Sequence, residues 1–518
     1  MRKVLIAAVA VALGACVPAA AQFRRPQNFG YEPQATDPPP VKTQHSITVN
    51  GHTLSYTAEV GKIPIPDTTG KTMGHMFYVA YLLNNPGGEP RPVTFSYNGG
   101  PGSDSVYVHM GGFGPRRVVL NDNGSNPGPP YRVVDNADTW LNATDLVFVD
   151  AIGTGFSRAT SHKTLMQAAT AQGDLECFAQ FVRLWLYQNN RLNSPIILAG
   201  ESYGTFRTAG LAHVLWQHHI PLSGIVLLSA ALNMNTITAS YSDDLPYWLA
   251  LPTQTAIAWH FHKLSPNLQG EPLPRVVQQA EQWAQTKYQQ YLDLGGALTG
   301  AERQKALQEM SEYTSLSPQF LDSWNLRLST GLFDSSLLRS QRETIGRYDG
   351  TQIGFSRTPG QTRPDYDASD LLSTPYLHEF VNYLRNELDY KTTTEYGDGG
   401  MGGAGIPQWT YNINGASGKA GGWGTNGGGN DVSQDLERVF AQDPSLRLML
   451  CEGYFDQATP VFEAIYGIRH LFITPQEMTH VSIEHYMSGH MIYAHKDSRE
   501  KLHRDFDNFV TTLAGEGQ

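Results

Sequence analysis

Three cysteines in 518 residues, Cys16, Cys177 and Cys451, exclude a scaffold built on disulfides. Charge is scarce too, at 16% of residues, and cations are scarcer than anions: 37 Lys and Arg against 48 Asp and Glu leave a net charge of −11. That balance argues against broad electrostatic binding to nucleic acid or to an anionic membrane. No apolar run reaches the roughly 20 residues of a membrane span, and no repeat of the solenoid kind is present. What is abundant is apolar and aromatic: 40% hydrophobic residues, with 25 Tyr, 21 Phe and 9 Trp, enough for a large core or an aromatic-lined site. The length exceeds one ordinary domain of about 100–200 residues and suits a single large core carrying insertions.

The first residues have the form of an export signal. Arg2 and Lys3 precede the apolar run Val4 to Ala15, and Ala19-Ala20-Ala21 stands before Gln22. This reads as a signal peptide over residues 1–21 and an exported, periplasmic or secreted protein. Leu13-Gly14-Ala15-Cys16 also resembles a bacterial lipoprotein box, which would end the signal before Cys16 and anchor the chain there by lipid. Scarce cysteine in an exported chain suits a bacterial envelope. Residues 22–44, with Arg24-Arg25-Pro26 and Pro38-Pro39-Pro40, read as an extended Pro-rich leader.

Beyond it, short apolar runs end in turn residues: Val93 to Tyr97, Leu146 to Val149, Pro195 to Ala199, Ile225 to Leu228, Leu446 to Leu450 and Leu471 to Ile473. Runs that do not alternate are the mark of strands covered on both faces. A helical pattern at Phe178, Phe181, Val182 and Trp185, with Asp174 as its expected cap, lies between two of them. Such alternation predicts an α/β fold with a mostly parallel central sheet, formed by residues 45–235 and 386–518. From 236 to 385 the apolar runs give way to helix signals, such as Thr299-Gly300-Ala301-Glu302 and Ser317-Pro318, which predict a helical cap insertion. Gly397 to Gly429 is Gly-rich and reads as a long surface loop, or as one lining the site.

The chemistry is carried by a few positions. Gly200-Glu201-Ser202-Tyr203-Gly204 follows an apolar run and precedes a helix pattern, the context in which a tight turn exposes a serine nucleophile. A serine hydroxyl needs a base, and the base needs an orienting acid. The acid belongs after a later strand. Asp456 stands there, preferred over Glu452 because the Gly453 turn would carry the chain to the sheet edge first. Four histidines follow at five-residue intervals, His480, His485, His490 and His495, a spacing with no metal pattern. Any of them could be the base on these grounds; Gly489 would let the His490 loop bend over the sheet edge. The oxyanion needs two N–H donors: Tyr203, after the nucleophile, and Gly100 in Asn98-Gly99-Gly100-Pro101-Gly102.

Together with Asp456 followed by Pro460, Gly489-His490-Met491 and the stretch Val149 to Ser157, these motifs resemble the serine carboxypeptidase family of α/β-hydrolases. The resemblance implies Ser202, Asp456 and His490 as catalytic triad, Gly100 and Tyr203 as oxyanion donors, and Asn98 and Glu201 as hydrogen-bond partners of a substrate's C-terminal carboxylate. Three positions depart from it. Ser96 stands where the family has Trp, Ser103 where it has a disulfide Cys, and Gly112 where a second carboxylate-binding Glu is expected. The Asp-to-His interval is also short for the family.

The expectation is an exported serine carboxypeptidase with the α/β-hydrolase fold, acting on peptides with a free C-terminus and needing neither cofactor nor metal. An esterase, an acyltransferase or a proline-specific aminopeptidase would use the same machinery. An inactive envelope binding protein would keep the fold without the chemistry.

Overall fold

The computed structural model describes residues 30–32, 38–84, 90–239, 243–397, 409–411 and 430–514. The signal and lipoprotein readings, with Cys16, and most of the leader and of the Gly-rich stretch lie outside the described residues.

One large sheet organises the molecule. Its main strands are β1 (Val41–Val49), β2 (His52–Pro66), β3 (Thr72–Leu83), β4 (Val93–Tyr97), β5 (Asp145–Val149), β6 (Ile196–Ser202), β7 (Gly224–Ala230), β8 (Arg447–Gly453) and β9 (Val481–Tyr486). They lie in the order β1-β2-β3-β5-β4-β6-β7-β8-β9, and the two-residue strand Arg158–Ala159 pairs with β3 off this path. From β5 to β9 every pairing is parallel, and β1, β2 and β3 extend the sheet antiparallel. The non-alternating apolar runs became β4 to β8, and every residue of β4, β5 and β7 is buried.

Two apolar clusters cover the two faces. Helices α1 (Ala171–Gln188) and α2 (Tyr203–Gln217) pack on one, through residues such as Phe178, Trp185 and Phe206. The helix Ser373–Asn386 and the C-terminal helix Lys496–Ala514 supply Tyr376, Phe380 and Phe506 to the other.

Several expectations need correction. Regular structure reaches into the expected leader: β1, from Val41, pairs with β2 along its whole length, and Tyr31 bridges Ala159. Leu471 to Ile473 is not a strand: it follows the helix Val461–Arg469, Phe472 is 93% exposed, and the last strand is β9. Thr170, not Asp174, caps α1, accepting from the Gly173 N–H. Thr299 makes no side-chain cap to the helix Gly300–Thr314, whereas Ser317 does cap its helix by accepting from Phe320 N–H. Residues 236–385 are mainly helical, but they also hold a small antiparallel hairpin, Glu343–Ile345 with Ile353–Phe355. The turn of that hairpin reaches down to the edge of the large sheet.

Candidate active site

Strands β6, β7 and β8 end side by side, and the loops that leave them meet there. Ser202 is the last residue of β6 and stands just before α2, with φ +61° and ψ −131°. A positive φ is unusual for a side-chain-bearing residue and here turns the chain sharply from strand into helix. Ser202 Oγ makes no hydrogen bond among the described residues. The next residue, Tyr203, opens the helix, so its N–H is one of the donors that no helix carbonyl takes. The glycine loop lies directly over this turn: a β-carbon on Gly99 would collide with the backbone nitrogens of Tyr203 and Gly204. Gly100 follows with φ +101°.

The candidate acid, Asp456, and the candidate base, His490, come from the loops after β8 and β9. His490 Nδ1 lies 2.6 Å from Asp456 Oδ2. The Asp456 carboxylate is satisfied on every side: Ala458 and Thr459 N–H donate to Oδ1 at 2.7 and 3.0 Å, and the Thr459 hydroxyl donates to Oδ2 at 2.7 Å. His490 is held from its backbone. Its N–H donates to the Tyr348 carbonyl at 2.6 Å, and its own carbonyl accepts from Ser229 Oγ, at the end of β7, at 2.8 Å. The Tyr348 ring packs on the imidazole with centroids 5.2 Å apart. Burial works against the imidazolium, but the Asp456 charge and hydrogen bond outweigh it, with Glu201 adding, so the His490 proton is held above the usual histidine range.

The rival residues have other places. Glu452 is buried and its carboxylate accepts from Ala230 N–H at 2.9 Å, with no hydrogen bond to a histidine among the described residues, and burial pushes its carboxyl well up. His485 lies in β9, stacked on Tyr454. His495 forms a second acid–histidine pair, its Nε2 2.7 Å from Asp349 Oδ2.

Asn98 and Glu201 meet beside the nucleophile. Asn98 Nδ2 donates to Glu201 Oε1 at 2.7 Å, while Asn98 Oδ1 accepts from Val108 N–H at 3.0 Å. Burial pushes the Glu201 carboxyl up to about 7, against the pull of His490 and of the Tyr493 hydroxyl. A carboxyl in this range holds its proton in mildly acidic solution and can donate a hydrogen bond there.

Sequence reasoning missed the support beneath these groups. Arg207, on α2, is buried and pairs with Asp174 of α1, Nε to Oδ2 at 2.7 Å. It also donates to the Asn98 carbonyl at 2.7 Å, and its guanidinium lies 4.3 Å from the Phe178 ring centroid. Tyr203 Oη reaches the same Asp174 carboxylate at 3.3 Å. One ion pair thus ties the glycine loop to the nucleophile turn. In the sequence Asp174 reads only as a helix cap, and nothing beside Arg207 names its partner.

The serine carboxypeptidase family profile matches residues 56–354. This chain belongs to that family. The matched span contains Asn98, Gly100, Glu201, Ser202 and Tyr203, and Asp456 and His490 lie beyond it. Among curated relatives, serine-type carboxypeptidase F of Aspergillus niger is 33% identical over 122 residues, which are 22% of this chain and 20% of that protein. Serine carboxypeptidase-like 34 of Arabidopsis thaliana is 24% identical over 196 residues, 35% of this chain and 36% of that one. The chain thus spans about a fifth to a third of the length of these relatives. Among solved structures, a proline iminopeptidase of Mycobacterium smegmatis aligns with 87% of this chain and 98% of its own, at 11% identity and a TM-score of 0.33.

Proposed function

We propose that this member of the family is an active serine carboxypeptidase, releasing C-terminal residues from peptides through an acyl-enzyme. The observation that carries the reading is the buried Asn98–Glu201 pair adjoining Ser202, with Glu201 lifted to about 7. A carboxyl that keeps its proton there can bind a substrate carboxylate, which an ionised one would repel. An esterase has no use for such a group.

In this mechanism Ser202 Oγ attacks the carbonyl carbon of the last peptide bond while His490 takes its proton. Asp456, through the 2.6 Å contact to Nδ1, fixes the imidazole and balances the charge it gains. The carbonyl oxygen becomes an oxyanion held by the N–H groups of Tyr203 and Gly100. As the C–N bond breaks, His490 returns the proton to the leaving amine and the C-terminal residue departs. Water, deprotonated by His490, then hydrolyses the Ser202 ester and frees the shortened peptide. Residues 1–21 would export the chain to the periplasm or beyond, either as a soluble protein or anchored through Cys16.

The test uses one peptide blocked at its N-terminus and a second blocked as its C-terminal amide. Stepwise release of residues from the free C-terminus of the first is expected. Release of residues from the free N-terminus of the second, with the first left intact, would overturn the reading in favour of an aminopeptidase.

A further inference from the structure

Gly112 leaves the expected carboxylate pocket without a second acidic side chain. The structure fills that place from another loop. Tyr493, three residues after His490, lays its ring against the helical turn His109–Phe113. A β-carbon on Gly111 would collide with the edge of the ring, and one on Gly112 would stand 2.6 Å from Tyr493 Cβ. No side chain at position 112 can coexist with Tyr493. The ring is 1% exposed, and its hydroxyl makes no hydrogen bond of good geometry, although Glu201 and Asn98 lie within its reach. Glu201 Oε2 is likewise buried and makes no well-formed hydrogen bond. The two face each other closely enough for each to shift the other's proton, and the Asn98 amide is within the same reach of the hydroxyl. His490, Asp456 and Tyr376 are the other titratable groups acting on this carboxyl or on its phenol.

Two neighbouring buried polar atoms that make no well-formed hydrogen bond are costly, and an acceptor oxygen that both can reach satisfies them. We propose that Tyr493 is the second donor of the C-terminal carboxylate pocket, binding one carboxylate oxygen through its hydroxyl while Glu201 and Asn98 bind the other. The inference rests on the carboxypeptidase reading above. It deepens that reading by giving the pocket a donor that does not ionise near neutrality, because burial beside Glu201 drives the phenol well above its usual range. Only Glu201 is then left to titrate, so carboxylate affinity has one ionisation rather than two.

The experiment compares a peptide having a free C-terminus with its C-terminal amide, on the wild type, Tyr493→Phe and Glu201→Gln. The phenylalanine keeps the ring against Gly111 and Gly112 and removes only the hydroxyl. Loss of one hydrogen bond to a charged group predicts that the preference for the free acid falls roughly ten- to hundredfold, through KM rather than kcat. In Glu201→Gln the ratio of free-acid to amide KM should become independent of pH between about 5 and 9, because His490 acts on both substrates alike and the remaining carboxylate donors do not titrate there. An unchanged preference in Tyr493→Phe, or a surviving pH dependence of the acid-to-amide KM ratio in Glu201→Gln, would overturn the assignment. Equal treatment of acid and amide by the wild type would instead sink the carboxypeptidase reading itself.

Discussion

The two halves of the site are finished to different degrees. On the acyl-transfer side, Asp456 accepts four hydrogen bonds and His490 is pinned through its ring, its N–H and its carbonyl. On the recognition side, Glu201 Oε2 and Tyr493 Oη are buried and make no well-formed hydrogen bond. A group that must hold one geometry through every step is best satisfied by the protein itself. A group that binds and releases a ligand has to keep hydrogen-bonding capacity in reserve. The sequence carries only part of this contrast: Gly112 lies against Tyr493 on the recognition side, but the short interval from Asp456 to His490 is a departure on the acyl-transfer side.

The sharpest separation of the halves comes from Ser202→Ala. It removes the nucleophile and leaves the recognition groups in place, so kcat should fall on the order of 10⁶-fold if the triad acts as a unit. Binding of a C-terminal carboxylate product should persist, measurable by calorimetry. Substantial turnover by a clean preparation would mean that another nucleophile operates.

Arg207→Met tests the floor shared by both halves. It leaves Asp174 buried and unpaired and frees the Asn98 carbonyl, so stability should fall by about 3–5 kcal/mol. The measurement is urea unfolding. A loss under ~1 kcal/mol would show that Arg207 does not bear on the glycine loop as its contacts imply.

The parallel strands were legible because strands buried on both faces leave uninterrupted apolar runs. Strands at the edges of the sheet do not. In β9, Ser482, Glu484 and His485 interrupt the apolar pattern, so a nearby apolar run with an exposed Phe472 carries the stronger strand signal. In β1 alternate residues face solvent, and Lys42, Gln44 and Ser46 hid the strand within an expected leader. At the site, the glycine loop, the nucleophile turn and Asp456 stood out through local motifs. Among the four histidines spacing alone gave no choice and the family resemblance pointed to His490; in the fold both His490 and His495 meet a carboxylate. Tyr493, Arg207 and Asp174 were invisible because each gains its role from a residue far along the chain, and nothing in its immediate neighbours announces that partner.

The central claim is that Glu201, poised near 7, recognises the carboxylate of a peptide that the Ser202 machinery then cleaves. The direct measurement is KM against pH for a peptide with a free C-terminus and for its amide. Below about 7 Glu201 holds its proton and donates it in a hydrogen bond; above, it is an anion facing an anion. KM for the free acid should therefore rise as pH passes upward through about 7, while KM for the amide stays level. Both kcat profiles should fall on the acid side, where His490, its proton held above the usual range, can no longer act as base. Equal KM values for acid and amide at every pH would contradict the account and leave the fold to an esterase-like hydrolase.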